Sequence, residues 1–142
     1  MTVVAGVDDS PVSQQVVARA LEQARSRGTD LHVVYVFHMP MVYTEAAINW
    51  SEVAEAQRAA VWASLEDSLA DPGVVVERVD LEGYPPDALV TYAADIHASL
   101  LVVGTRGRGG LASLVLGSTS HRAIQLAECD VLVVKASETD LD

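Results

Sequence analysis

Apolar residues fall into two patterns along this chain: short continuous runs, and longer stretches in which they recur every three or four positions. The runs are Thr2 to Val7, Leu31 to Phe37, Val74 to Leu81, Leu100 to Val103 and Val131 to Val134. They have the length and β-branched content of strands. Val16, Val17, Ala20, Leu21 and Ala24 form one helical stripe. Val61, Leu65 and Leu69 form a second, and Ala88, Leu89, Tyr92, Ala93 and Ile96 a third. Ser10 followed by Pro11 reads as an N-cap and a first helical residue, and Gly28 as the stop. The second helix is expected over Ser51 to Leu69, with Asp71-Pro72-Gly73 breaking it. Pro85-Pro86 opens the third, and a fourth ends near Glu128.

Strands alternating with helices predict one α/β domain, an open parallel sheet of five strands with helices on both faces. The wholly apolar run Leu100 to Val103 belongs in the sheet centre, and the mixed run Val76, Glu77, Arg78, Val79, Asp80 at an edge. No internal repeat or linker interrupts the pattern, so residues 1–142 read as one domain, with 137–142 an acidic, solvated tail.

Charge narrows the function. Nine basic residues against 20 acidic ones leave a net charge of -11, and the sequence pI is about 4.5. Nucleic acid and anionic lipid surfaces are bound through clustered Lys and Arg, which this chain lacks. Lys135 is the only lysine. A P-loop needs its lysine directly after a glycine, and Lys135 follows Val134 with no glycine at P-loop spacing before it. The single cysteine, Cys129, excludes an internal disulfide framework and a Cys-rich zinc site. No apolar run reaches the ~18 residues of a membrane span, and the N-terminus lacks a signal peptide's basic start. The expectation is a soluble cytoplasmic domain, in which the sequon Asn49-Trp50-Ser51 goes unused.

The most specific feature follows the fourth strand. Gly104, Gly107 and Gly117 are spaced as Gly-x-x-Gly, nine residues, then Gly-Ser, with Gly109 and Gly110 inside the loop. Glycine permits positive φ and lets a ligand approach the backbone. Ser118, Thr119 and Ser120 then open a helix, whose N-terminus offers free N–H groups and a positive dipole end. This is a phosphate cradle without lysine, with Arg106 and Arg108 as mobile positive charge beside it.

The run from Val102 to Arg122, VVGTRGRGGLASLVLGSTSHR, resembles the nucleotide-binding signature of the universal stress protein family, in its ATP-binding branch. The similarity spans the chain, from the first strand ending at Asp8 and Ser10 to the closing strand Cys129-Asp130-Val131-Leu132-Val133-Val134. It implies a Rossmann-like, adenine nucleotide alpha hydrolase-like fold. It also implies a cytoplasmic homodimer paired through Val131 to Val134, and a stress-response switch that binds ATP with Mg²⁺ or Mn²⁺. Gly6, Val7 and Asp8 would border the nucleoside, with Asp8 near the ribose, and Val36 would lie against the adenine. Val103 and Gly104 would line base and sugar. Arg106 and Gly107 would flank the phosphates, which Gly117, Ser118, Thr119 and Ser120 would bind. Thr119 stands where the family often has valine, Asp130 where it often has proline and Asp9 where it often has glycine; Asp9 adds negative charge.

Strand order gives a separate argument. Ligands of open α/β sheets sit at the carboxyl ends of strands where the order reverses. Order 3-2-1-4-5 brings Asp8 and Gly104 together across one crevice, whereas 2-1-3-4-5 pairs Asp8 with Glu82-Gly83 and leaves the glycine loop off-centre, so 3-2-1-4-5 is the expected order.

Other readings explain less. Asp8 and Asp9, with Asp80, Thr105 and Lys135, offer the residue types of a phosphoacceptor receiver domain, but leave the glycine loop without a role. No G-x-S-x-G elbow occurs, and His32, His38, His97 and His121 lack metal-ligand spacing. His32 is expected at the sheet surface, His121 on an exposed helix face, and Cys129 as a buried thiol. No catalytic residue is assigned. The only candidate bases are Asp8 and Asp9, so phosphate chemistry would amount to slow hydrolysis or autophosphorylation on Ser118 or Ser120. A nucleotide-independent interaction module and a sensor of AMP or cyclic AMP are the alternatives on the same fold. Met39, Met41, Tyr43 and Trp50 either pack on the domain's own sheet or form a lid or partner surface.

Overall fold

A computed structural model describes residues 1–38, 48–105 and 116–136. The segment with Met39, Met41 and Tyr43, the loop positions Arg106 to Gly110, and the acidic tail lie outside the described residues.

Five strands form one parallel sheet: β1 (Thr2–Val7), β2 (Asp30–Phe37), β3 (Val76–Glu82), β4 (Leu100–Gly104) and β5 (Asp130–Val134). Their order is β3-β2-β1-β4-β5, as the crevice argument requires. In β1 and β4 nearly every residue is buried, because both faces of a central parallel strand are covered. β3, at one edge, alternates half-buried and exposed positions.

Four helices connect the strands: α1 (Val12–Arg27), α2 (Trp50–Leu65), α3 (Pro85–Asp95) and α4 (Ser118–Leu126). Val3, Ala5, Val7, Leu31 and Val33 face one core with Val16, Val17, Leu21, Val61 and Leu65 of α1 and α2. Val4, Val34, Leu101 and Val103 face the other, with Leu89 and Ala93 of α3 and Ala123 of α4. The period-two pattern of the strands thus feeds two separate cores.

Gly28 ends α1 as expected, in the left-handed region at φ 63, with its N–H bonded back to the last turn. α2 stops at Leu65 rather than Leu69, though Leu69 stays buried on the following turn and donates to the Leu65 carbonyl at 3.1 Å. Asn49 caps α2 by accepting from the Glu52 N–H at 3.2 Å, which gives the sequon asparagine a structural role. His32 is less exposed than expected, held by the Tyr92 hydroxyl at 2.6 Å and Glu77 at 3.2 Å.

The start of α1 corrects the sequence expectation. Pro11 occupies the cap position, and the Ser10 hydroxyl caps nothing; it donates instead to Asp8 Oδ1. Donating its proton to a carboxylate two residues back fixes the serine rotamer, and the oxygen is turned away from the helix N–H groups it would otherwise accept from.

Candidate functional site

The strand order reverses between β1 and β4. The chain leaves β1 into α1 on one face, while α3 and α4 cover the other face. A cavity of about 290 Å³ opens there at the carboxyl ends of the strands. Gly6, Val7 and Asp8 border it from β1, Val36 from β2, and Val103 and Gly104 from β4. Gly117, Ser118 and Thr119 border it from the start of α4. Residues from both ends of the sequence therefore share one crevice.

Of the described site residues, one stands apart from it. Arg106 and Gly107 are outside the described residues. Ser120 is fully buried, and its hydroxyl donates to the carbonyls of Thr105 at 2.9 Å and Gly117 at 3.2 Å. Its role in the structure is to fasten α4, and it does not line the cavity. Thr105 is the hub of this fastening. Its N–H donates to the Val134 carbonyl at 2.8 Å, its own carbonyl also accepts from Gly117, and its hydroxyl accepts from the Ala136 N–H at 3.3 Å. The two ends of the glycine loop are thereby pinned together and to β5.

Below that fastening, α4 starts without any side-chain cap, and Gly117 sits in extended backbone at its N-terminus. Ser118 and Thr119, exposed and half-buried, line the crevice at this helix start, where backbone N–H groups lack intrahelical partners. The charge at this end is that of neutral donors and the positive end of the helix dipole.

The β1 end is built oppositely. Asp8 Oδ1 accepts from the Ser10 N–H at 2.8 Å, from the Ser10 hydroxyl, and from the Ser13 hydroxyl at 3.1 Å. Ser13 also accepts from the Asp8 N–H at 2.9 Å. Burial first, then the nearby charges of Asp9, Asp8 and Asp80, push the Tyr35 phenol above its ordinary value; Arg58 opposes them.

The glycines do something the sequence did not announce. A Cβ at Gly104 would stand 2.7 Å from Val12 Cγ1, and one at Gly6 would stand 2.7 Å from Leu89 Cδ1. Each lets a helix close on the crevice, α1 against β4 on one face and α3 against β1 on the other. Val12, Leu89, Ser10, Ser13 and Pro85 all line the cavity and were missed as site residues. The spacing Asp-x-Ser-x-x-Ser was the signal available for the serines.

Asp80 is removed from the receiver reading. It lies on the edge strand β3 with β2 between it and β1, and it accepts from Trp62 Nε1 at 2.8 Å. Among the described residues no group of three His, Cys, Asp or Glu side chains is placed to hold a metal, and no helix is long and apolar enough to cross a membrane.

Comparison with known proteins agrees with this geometry. The profile of the Universal stress protein family matches residues 1–135. The chain belongs to the universal stress protein family. A universal stress protein of Mycobacterium tuberculosis is 35% identical over 141 residues, covering 95% of this chain and 45% of that protein. The chain thus spans about half the length of the curated relatives it first matches. Among solved structures, UspA from Lactobacillus plantarum superposes with a TM-score of 0.84 at 21% identity, covering 94% of this chain and 97% of that one. At that identity it speaks to the fold alone. A universal stress protein in complex with cAMP gives a TM-score of 0.74 at 28% identity, covering 96% and 98%.

Proposed function

We propose that this universal stress protein binds an adenine nucleotide in the β1–β4 crevice and acts as a nucleotide-dependent stress-response switch. The observation that carries the reading is the polarity of the crevice. One end presents the uncapped start of α4 with Gly117, Ser118 and Thr119, suited to phosphate, and the other presents Asp8, suited to sugar hydroxyls. Gly6, Val7, Val36, Val103 and Gly104 supply the walls for base and sugar. ATP is the proposed physiological ligand. Its Mg²⁺ or Mn²⁺ would arrive on the phosphates, with Arg106 and Gly107 flanking them. ATP would order the glycine loop, and this order would alter what the protein contacts in the cytoplasm.

A second reading has its own support. About 290 Å³ is the lower end of the ~300–1,000 Å³ usual for small-molecule sites, and the 28%-identical solved relative holds cAMP. A monophosphate sensor therefore stands beside the ATP switch. The homodimer is proposed through β5, an edge strand whose Val131, Leu132 and Val133 are half-buried, next to the exposed Ile124 and Leu126 of α4. Leu132→Lys should shift its sedimentation to that of a monomer.

The deciding experiment denatures freshly purified protein, identifies any released nucleotide by chromatography, and follows with calorimetry using ATP, AMP and cAMP with and without Mg²⁺. Metal-dependent ATP binding that is lost in Gly117→Val supports the switch. Metal-independent preference for a monophosphate supports the sensor. A protein that ignores all three nucleotides leaves only an interaction module and ends the nucleotide reading.

A further inference from the structure

The bonds around Asp8 fall on one oxygen. Oδ1 takes the Ser10 N–H, the Ser10 hydroxyl and the Ser13 hydroxyl, whereas Oδ2 accepts no hydrogen bond among the described residues. Ser13 closes a two-bond ring, since its oxygen also accepts from the Asp8 N–H. A serine hydroxyl has one proton, so Ser13 spends its only donor on the carboxylate and one acceptor position on the backbone of the same residue. Both serines are buried, at 6% and 3% exposure, and both line the cavity with Asp8. Neither is satisfied by solvent or by capping α1, whose start has no side-chain cap. The arrangement fixes the carboxylate's rotation and leaves its second oxygen for something else.

A carboxylate in a crevice meant for an anion is unfavourable unless the ligand brings donors to it. Phosphate brings none at neutral pH. Sugar hydroxyls do, and a hydroxyl-reading site discriminates strongly only when its acceptor is held in place before the ligand arrives. We infer that Ser13 and Ser10 are positioning residues that hold Asp8 for recognition of the ligand's ribose hydroxyls, making this crevice selective for ribonucleotides over their deoxy counterparts. The inference rests on the nucleotide reading above and adds to it the specificity device and its parts.

The test uses calorimetry of the whole chain with AMP and with 2′,3′-dideoxyadenosine monophosphate, which lacks both hydroxyls. The unmodified protein should prefer AMP by about tenfold or more. Ser13→Ala should weaken AMP binding roughly five- to tenfold while leaving the dideoxy ligand within about twofold. Asp8→Asn should remove the preference, and Ser13→Ala added to Asp8→Asn should cost nothing further, because a residue acting through another loses its effect when that other is gone. Ser10→Ala repeats the test with the backbone donor and Ser13 retained, and covers the case in which Ser13→Ala fails to fold. Equal weakening of both ligands, or additive losses in the double variant, would reduce the serines to a structural role and overturn the inference. Tight binding of both ligands without preference overturns it while sparing the nucleotide reading. Absence of binding by the unmodified protein overturns both.

Discussion

Adding one methyl group at each of the two crevice glycines should have opposite consequences. Gly6→Ala and Gly104→Ala both place a Cβ 2.7 Å from a neighbouring side-chain carbon, against a normal contact of about 3.5–4.0 Å. Roughly 1 Å must be found in each case. At Gly104 the obstacle is Val12 Cγ1, with Val12 Cγ2 at 3.4 Å and Val16 Cγ2 at 3.5 Å behind it. Valine in a helix holds essentially one rotamer, so Val12 cannot turn aside and the first turn of α1 must move. Overpacking of this kind costs about 1–3 kcal/mol, offset by about 0.4–1 kcal/mol from the reduced freedom of the unfolded chain. A net loss of about 1.3 kcal/mol lowers Tm by roughly 3–5 °C at this chain length.

At Gly6 the obstacle is the far end of Leu89, and Leu89 borders the cavity. Its Cδ atoms have somewhere to go, so Gly6→Ala should stay within about 0.5 kcal/mol of the unmodified protein in urea unfolding. The displaced Leu89 intrudes on ligand space, and nucleotide affinity should fall about tenfold. Urea unfolding and calorimetry on the same two proteins separate the effects. If Gly6→Ala is as destabilised as Gly104→Ala, or keeps full affinity, the account of Leu89 as the movable wall is refuted.

Ser120→Ala should lower stability by about 1–2 kcal/mol, since the Thr105 and Gly117 carbonyls lose a donor, while calorimetric affinity changes less than about threefold. Thr119→Ala, at the crevice wall, should show the reverse order of effects. Burial, before any charge effect, raises the Cys129 thiol and the Tyr35 and Tyr92 phenols above their ordinary values of 9.0 and 10.0. A folded state that holds these protons more tightly has their full contribution below those values and loses it as pH rises through the raised ones. Tm should therefore fall from about pH 9 upward, and less so in Cys129→Ala. A rise in Tm over that range would contradict the burial. Finally, a chain of net charge -11 repels a nucleotide at long range, so affinity should increase modestly as salt screens that repulsion. A fall with salt in calorimetry would assign the binding chiefly to Arg106 and Arg108.

What could be read from sequence was whatever repeats along the chain or concentrates in one segment. The central strand β4 needed no alternation to be recognised: the unbroken apolar run Leu100 to Val103 sufficed, because burial on both faces erases alternation. The crevice followed from Gly104, Gly117 and Asp8 once the strand order was chosen. The misplaced details all depend on contacts between distant segments or on competition among acceptors. Ser10 followed by proline looks like a cap, but the sequence does not show that its hydroxyl proton goes to Asp8 and so orients the oxygen away from the helix. Ser120 looks like a phosphate ligand by its place after Gly-Ser-Thr, yet a helix turns about 100° per residue, and its hydroxyl points back to Thr105. Gly6 and Gly104 border the crevice, and what no single segment could show is that a Cβ there would meet α3 and α1.

The acidic composition and the anion-binding geometry are reconciled by how the crevice is divided. A unit charge on a ligand about 5 Å from Asp8 is opposed by roughly 3 kcal/mol at an effective dielectric of about 20. Inorganic polyphosphate would meet that repulsion wherever it approached the β1 end, and would gain nothing there in return. In the proposed pose a nucleotide would avoid it by being polar in the same sense as the site: its phosphate would reach the first turn of α4 while its sugar hydroxyls would face the carboxylate. Reversed, it would put phosphate on Asp8 and hydroxyls on N–H donors, losing both interactions. On the proposed reading Asp8 would work as an orientation filter as much as an affinity group, and the hydrogen bonds that fix its rotamer would make the filter sharp.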